Sequence, residues 1–191
     1  GTKVVLRPFE AQDITETYVG WLRDPEVTRF SNQRFREHTL QTCRSYFASF
    51  AGSPNRFVSI RDKTTGDAIG TMTAYANPHH DTCDVGIMIG NRDYWSGGYG
   101  QEAWNLLLDW LLAPTGGGIR KVTAGTLACN GGMVKLMERS GMIREGVRVA
   151  QEIIEGEPQD IVEIVRAYGE WLASSDLPKL FVNAEPGAIL R

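Results

Sequence analysis

The residues best placed to do chemistry lie in one stretch, Gly86-Ile-Met-Ile-Gly90 followed closely by Trp95-Ser-Gly-Gly-Tyr-Gly-Gln-Glu-Ala103. An apolar strand runs through a glycine-dense turn into an apolar helix beginning near Gln101. Backbone N–H groups at such a turn, with the positive end of the helix dipole, form a site for an anion such as a pyrophosphate. Glycine lets the main chain turn sharply and approach a phosphate closely. The bland alternative is a tight strand-to-helix turn that binds nothing. Gly98-x-Gly100-x-x-Ala103 also fits a loose dinucleotide fingerprint. That fold needs an acidic residue closing the next strand to hold a ribose, and residues 120–127 contain none. A kinase-type loop needs Gly-Lys-Ser/Thr, which is absent.

These groups need elements to hold them. Residues 3–8 read as a first strand. Asp13 and Glu16 read as a capping box for a helix reaching Leu22, and Asp24-Pro25 breaks it. A second helix begins near Thr39 and places Leu40, Cys43, Phe47 and Phe50 on one face. Strands follow over 56–61, 68–75 and 82–89, the first two as a hairpin. The helix 101–112 carries Trp104, Leu107, Leu108, Leu111 and Leu112 as a face broad enough to lie on a sheet. Residues 120–127 read as a strand and 131–140 as a short helix ended by Gly141. Two closing strands, 146–154 and 161–167, are joined at 155–158. The order β-α-α-β-β-β-α-β-α-β-β predicts a single α/β (α+β) domain over residues 1–168, a mixed, mostly antiparallel sheet flanked by helices. Residues 169–191 read as a C-terminal extension, docked or partly disordered.

At 191 residues and 42% hydrophobic, the chain can bury one ordinary core. A net charge of -3 argues against a nucleic-acid binder that relies on a basic face. No apolar run is long enough to span a membrane, and the opening Gly-Thr-Lys-Val-Val-Leu-Arg lacks a signal core, so the expected location is cytoplasmic. Cys43, Cys83 and Cys129 form no CxxC pair and read as reduced, buried core thiols. With His38, His79 and His80 they supply no metal-ligand spacing, so no metal is expected.

The element order, the block Trp95–Ala103 and the later Asn130-Gly-Gly-Met-Val-Lys-Leu-Met-Glu-Arg-Ser-Gly-Met-Ile-Arg-Glu-Gly146 together resemble the GNAT superfamily of acetyl-CoA-dependent N-acetyltransferases. Leu6-Arg-Pro8, Trp21-Leu-Arg-Asp-Pro-Glu-Val27 and Gly156-Glu-Pro-Gln-Asp160 resemble its RimJ/RimL-like branch. The likeness covers residues 3–167. It implies a twisted, splayed sheet and acetyl-CoA as cosubstrate, with the pyrophosphate on Trp95, Gly97, Gly98, Tyr99, Gly100 and Gln101. It also implies that the pantetheine arm pairs with Ile87, Met88 and Ile89, with Asn130 and Arg139 across the gap. An amide near Met88 would then stabilise the charge on the thioester oxygen.

The same resemblance makes Asp84 and His80 candidate bases for the incoming amine, against the plain readings of a strand carboxylate and a surface histidine. It sets Trp21, Arg29, Phe30, Arg34 and Phe35 at the acceptor wall, where Arg suits a phosphate or carboxylate, against the plain reading of helix packing and surface charge. Met137 and Met133 stand where the family often carries a tyrosine and a serine, which leaves the acid unassigned. The implied function is acetyl transfer to a primary amine (a nucleotide-linked amino sugar, a protein N-terminus or a small amine) in a ternary complex, with a homodimer left open. The alternative is a non-catalytic acyl-CoA sensor or regulatory domain.

Overall fold

The computed structural model describes residues 1–167; the extension expected over 169–191 lies outside the described residues. The strands are β1 (Val4–Pro8), β2 (Arg56–Asp62), β3 (Ala68–Asn77), β4 (Thr82–Ile89), β5 (Lys121–Leu127), β6 (Ile143–Ile154) and β7 (Glu157–Ala167). The helices are α1 (Glu16–Arg23), α2 (Pro25–Thr28), α3 (Leu40–Ala48), α4 (Tyr99–Leu112) and α5 (Gly131–Arg139). The sheet order is β1-β2-β3-β4-β5-β7-β6, antiparallel except where β4 meets β5. The mixed, mostly antiparallel sheet flanked by helices agrees with the order of elements read from the sequence.

Strand alternation divides the core between the two faces. Val85 of β4, Val122 and Ala124 of β5, and Val162 and Ile164 of β7 pack with Trp104, Leu107, Leu108 and Leu111 of α4. On the other face Phe57 and Met88 meet Phe9, Tyr18, Val19, Leu22 and Cys43 under α1 and α3. Trp104 is fully buried, and its indole N–H has no partner among the described residues. Cys83 is buried, and burial, with the Asp84 charge adding to it, pushes its thiol up to about 12. Cys129 departs from the expected core position: it is exposed, because it falls past the end of β5 in the turn to α5.

Several local expectations shift. Asp13 does not cap α1; Thr15 does, accepting from the Tyr18 amide. Asp13 instead closes a 3-10 turn whose cap is Glu10, and its buried carboxylate takes both Arg7 guanidinium nitrogens at 2.6 and 2.9 Å. Asp24-Pro25 ends α1 and also starts α2, with Asp24 as cap and Pro25 in the first position. The glycine turn yields to helix at Tyr99, two residues earlier than expected, because Gly98 supplies a left-handed cap at φ 81. The closing strands run longer than their apolar residues suggest. Glu155 and Gly156, both at positive φ, make a two-residue turn that lets β6 and β7 pair almost to their ends.

Glu102 ties the start of the chain to the first turn of α4. Its carboxylate accepts from the Thr2 hydroxyl at 2.7 Å and from the Lys3 and Val4 amides at 2.7 and 2.9 Å. Partial burial raises its pKa, but the Val4 amide, the Thr2 hydroxyl and the neighbouring amides outweigh it and hold the group at about 2. A carboxylate depressed on folding stabilises the protein above its unfolded value, and the contribution fades as pH falls from 4.5 towards 2. Glu102→Gln is therefore expected to cost about 0.5–1 kcal/mol at neutral pH, because solvent screens the carboxylate and the amide oxygen can still accept. Urea unfolding of both proteins should show that difference shrinking across this acidic interval.

Candidate functional site

The site begins where β4 and β5 part. They pair only at Thr82–Lys121, Cys83–Val122 and Asp84–Thr123. Beyond that point β4 follows β3 as far as Ile89, and β5 follows β7 as far as Leu127. A cleft of about 1090 Å³ passes through the gap and joins both faces of the sheet.

Hydrogen-bond alternation fixes which backbone groups face this gap. The Gly90 amide donates to the Ile69 carbonyl at 2.9 Å, so in the same ladder the amides of Met88 and Gly86 also point to β3. Those of Ile87 and Ile89 then point to the cleft. The Trp95 indole N–H confirms this parity by donating to the Ile89 carbonyl at 2.8 Å. The expectation that the Met88 amide faces a ligand is thus corrected: its side chain borders the cleft, and the cleft-facing amide belongs to Ile87.

The glycine turn completes that edge. After a 3-10 turn at Arg92–Tyr94, Ser96 and Gly98 both take positive φ, at 59° and 81°. The amides of residues 97–101 have no acceptor among the described residues, since the first helical donors of α4 lie beyond them. Lys3 braces the turn, donating to the Gly97 carbonyl at 2.6 Å while lying over the Tyr99 ring. The Gln101 side chain faces away, donating to the Ser140 hydroxyl at 2.7 Å and the Leu136 carbonyl at 3.2 Å, which joins α4 to α5. Asn130 lines the cleft and also caps α5, accepting from the Met133 amide at 3.2 Å; Arg139 lines the same wall.

On the helical face the cleft is lined by Tyr18, Tyr46, Tyr75, Thr71 and Thr73. Arg29 and Phe30 line it, with Arg29 paired to Glu155 at 2.8 Å. Trp21, Arg34 and Phe35 do not. The Trp21 ring lies so close over Gly90 that a Cβ there would come within 2.1 Å of it. Arg34 is turned to the Ser31 carbonyl at 2.8 Å and to Glu152 at 3.9 Å, and Phe35 stands 72% exposed beneath its guanidinium. Sequence reading missed Glu26, Arg36 and Glu37 at the rim and the three tyrosines. The tyrosine signal was present, since Tyr18 and Tyr46 share the buried helix faces, but those faces look like ordinary core.

Asp84 stands at the fork without lining the cleft; its strand partner Tyr75 does. Its carboxylate accepts from the Thr123 hydroxyl at 2.9 Å across β4 and β5. Asp84 is exposed as a residue, yet its carboxylate is partly desolvated by the sheet around it. That desolvation raises the carboxyl pKa, Thr123 lowers it, and Glu163 adds a further rise. His80 lies on the exposed loop before β4, its amide donating to Asn77 and its carbonyl accepting from Arg120, away from the cleft lining. Among the described residues no cluster of His, Cys, Asp or Glu is arranged to hold a metal ion, and no helix is long and apolar enough to cross a membrane.

Residues 3–143 match the family described as the acetyltransferase (GNAT) domain. The spermidine N-acetyltransferase of Vibrio cholerae, solved with CoA and spermine, superposes with a TM-score of 0.78 at 19% identity, over 90% of this chain and 99% of that one. A ribosomal-protein-S5-alanine acetyltransferase from Vibrio fischeri gives 0.75 at 16% identity, over 88% and 94%. Among curated sequences, a haloalkane dehalogenase of Mycolicibacterium smegmatis is 56% identical over 34 residues, 18% of this chain and 11% of that protein. A second, from Sphingobium indicum, is 58% identical over 36 residues, 19% of this chain and 12% of its length. The chain thus spans about a tenth of the length of these curated relatives, too little to carry an argument about activity.

The Trp21–Gly90 contact separates packing from ligand binding. Gly90→Ala is expected to cost about 1–3 kcal/mol by overpacking. In a Trp21→Ala background the same change should cost clearly less, a coupling that urea unfolding of the four proteins measures.

Proposed function

Because this chain belongs to the GNAT acetyltransferase family, we propose that it transfers the acetyl group of acetyl-CoA to a primary amine in the cytoplasm, by direct attack within a ternary complex. The observation that carries this reading is the open edge of β4 continuing into the free amides of residues 97–101. The residues fit the cosubstrate. The amides of Gly97–Gln101, at the positive end of α4, suit its phosphates, with Trp95 and Arg139 flanking. Ile87 and Ile89 offer strand-edge groups to the amide-rich arm, and Asn130 stands opposite. The thioester supplies an activated acetyl group. The Ile87 amide, in place of that of Met88, would donate to the oxygen on which charge builds.

Asp84 is our candidate to take the amine's proton through water; its raised pKa and its place beside Tyr75 support this. His80 is disfavoured because it sits on the exposed loop before β4, whereas Asp84 stands at the fork where β4 and β5 part. For the acceptor we favour an amine that also carries a carboxylate or phosphate, such as a nucleotide-linked amino sugar or an acidic protein N-terminus. The support is Arg29 and Arg36 among the lining residues, with Arg36 in no ion pair among the described residues. Spermidine and spermine, named for the Vibrio cholerae enzyme, are polycations, and this rim balances Glu26 and Glu37 with the two arginines. The RimJ/RimL-like branch is retained as part of this proposal, on the motifs around Trp21, Trp95 and Asn130.

Thiol release from acetyl-CoA across an amine panel tests the reading. We expect turnover with acidic amines at a kcat/KM above that for spermidine, and Arg36→Ala should raise the acceptor KM about tenfold. No thiol release with any amine, despite tight acetyl-CoA binding, overturns the catalytic reading. Asp84→Asn should lower kcat by about 10²-fold or more with acetyl-CoA affinity kept, whereas His80→Ala should leave both unchanged. Activity should fall as pH drops through the raised Asp84 pKa. Thr123→Val, which removes the hydrogen bond that lowers it, should move that limb to higher pH.

A further inference from the structure

Three tyrosines meet at the helical side of the cleft, one from each of α1, α3 and β3. The Tyr46 and Tyr75 hydroxyls bond each other at 2.6 Å, which turns the two oxygens toward one another and uses one of their two protons. Tyr18 differs. The residue is only 5% exposed, yet its hydroxyl donates to no group among the described residues and is not sealed in the core. A phenol buried to that extent retains an unpartnered hydroxyl only where the oxygen reaches the cleft that its ring lines. The ring itself is held by Phe9 at 5.2 Å, by Trp21 edge-on at 6.3 Å and by Phe57 at 6.5 Å. Met88 packs into this same cluster, next in the chain to the cleft-facing amide of Ile87.

We infer that Tyr18 receives the acceptor nitrogen, its hydroxyl oxygen accepting a hydrogen bond from the amine beside the cleft edge of β4. The inference rests on the acetyltransferase reading and assigns within it the acceptor contact nearest the reacting carbonyl. Burial keeps the phenol protonated, with Cys43 and Tyr75 adding to the effect. The hydroxyl is therefore a neutral hydrogen-bonding group and not a charged partner. No carboxylate lines the cleft on this inner stretch: Glu26 and Glu37 belong to the rim, and Asp84 lies outside the lining. The floor thus suits an amine nitrogen that has shed its proton, whereas the rim handles the charges on the rest of the acceptor.

Tyr18→Phe keeps the ring and removes the oxygen, so the aromatic packing survives. The expected result is a kcat/KM for the acceptor about tenfold lower, carried mainly by KM, with acetyl-CoA affinity within about twofold of the parent. A Tyr18→Phe enzyme with parental kcat/KM, or one whose loss comes with a matching loss of acetyl-CoA affinity, overturns the assignment. If Tyr18→Phe fails to fold, ¹³C-tyrosine spectra of the parent decide. An acceptor added with CoA should move the Tyr18 ring signal, and its failure to do so while calorimetry shows the acceptor bound overturns the inference. Parent protein that releases no thiol with any amine overturns the acetyltransferase reading itself, and this assignment with it.

Discussion

Past the Asp84–Thr123 pair, β4 and β5 each leave half a ladder unmade, and the rest of the molecule is arranged around that loss. Unpaired strand groups must be hydrated or meet a ligand, and ordinarily two such edges would close on one another. They do not because each strand is committed on its other side. Eight register pairs bind β4 to β3 and seven bind β5 to β7, against three between β4 and β5. Behind the gap, Gln101 fastens α4 to α5, and Leu136 and Met133 fill the space between them against the core. In front, Gly86 and Gly125 line the cleft on its two strands without a side chain to bridge it. The fork is therefore a consequence of competing pairings, and the cleft is what remains between them.

Much of this was legible from residue order, for identifiable reasons. The glycine turn and the broad apolar face of α4 announce themselves because both depend on local spacing. The capping of α1 was misplaced because Asp13 and Thr15 are both good caps, and the choice was made by Arg7, a residue on β1 with no local signature. Cleft-facing amides depend on register, which shifts meaning with every residue; Met88 and Ile87 are indistinguishable until the Gly90–Ile69 bond fixes the parity. Arg34 and Phe35 have the composition of a ligand wall, but the hairpin of β6 and β7 takes up Arg34 through Glu152 and the Ile153 carbonyl. That hairpin lies more than a hundred residues away, beyond any pattern in the segment itself.

The two faces of the sheet divide the work by solvent character. The α4 face is aliphatic and continuous, so it fixes the strands at the fork with little freedom. The opposite face is aromatic, built on Phe9, Tyr18, Phe47, Phe50 and Phe57, with stacked pairs at 4.1 and 5.1 Å. Rings bring rigid area and, in tyrosine, a polar tip; a cluster of them can be a core at one end and a cleft wall at the other. The distinction between packing and site residues consequently runs through single side chains here. Phe57 packs and lines, and Tyr18 is anchored by its ring and exposed at its oxygen.

Rigidity at this fork matters because positioning is the main catalytic resource left to such a site. Asp84, the carboxylate at the fork, lies outside the lining, and Glu26 and Glu37 stand only at the rim. Holding two reactants in register can supply several kcal/mol of barrier reduction, on the order of 7–11 when alignment is near ideal, but only if the holding groups are themselves fixed. Lys3 and Glu102 fix the turn through the first strand, the β3 ladder fixes the edge, and the aromatic cluster fixes the opposing wall. Each of these contacts forms on folding, before any substrate arrives. The entropy of ordering the site is thereby settled in the folded protein, leaving binding to order only the substrates.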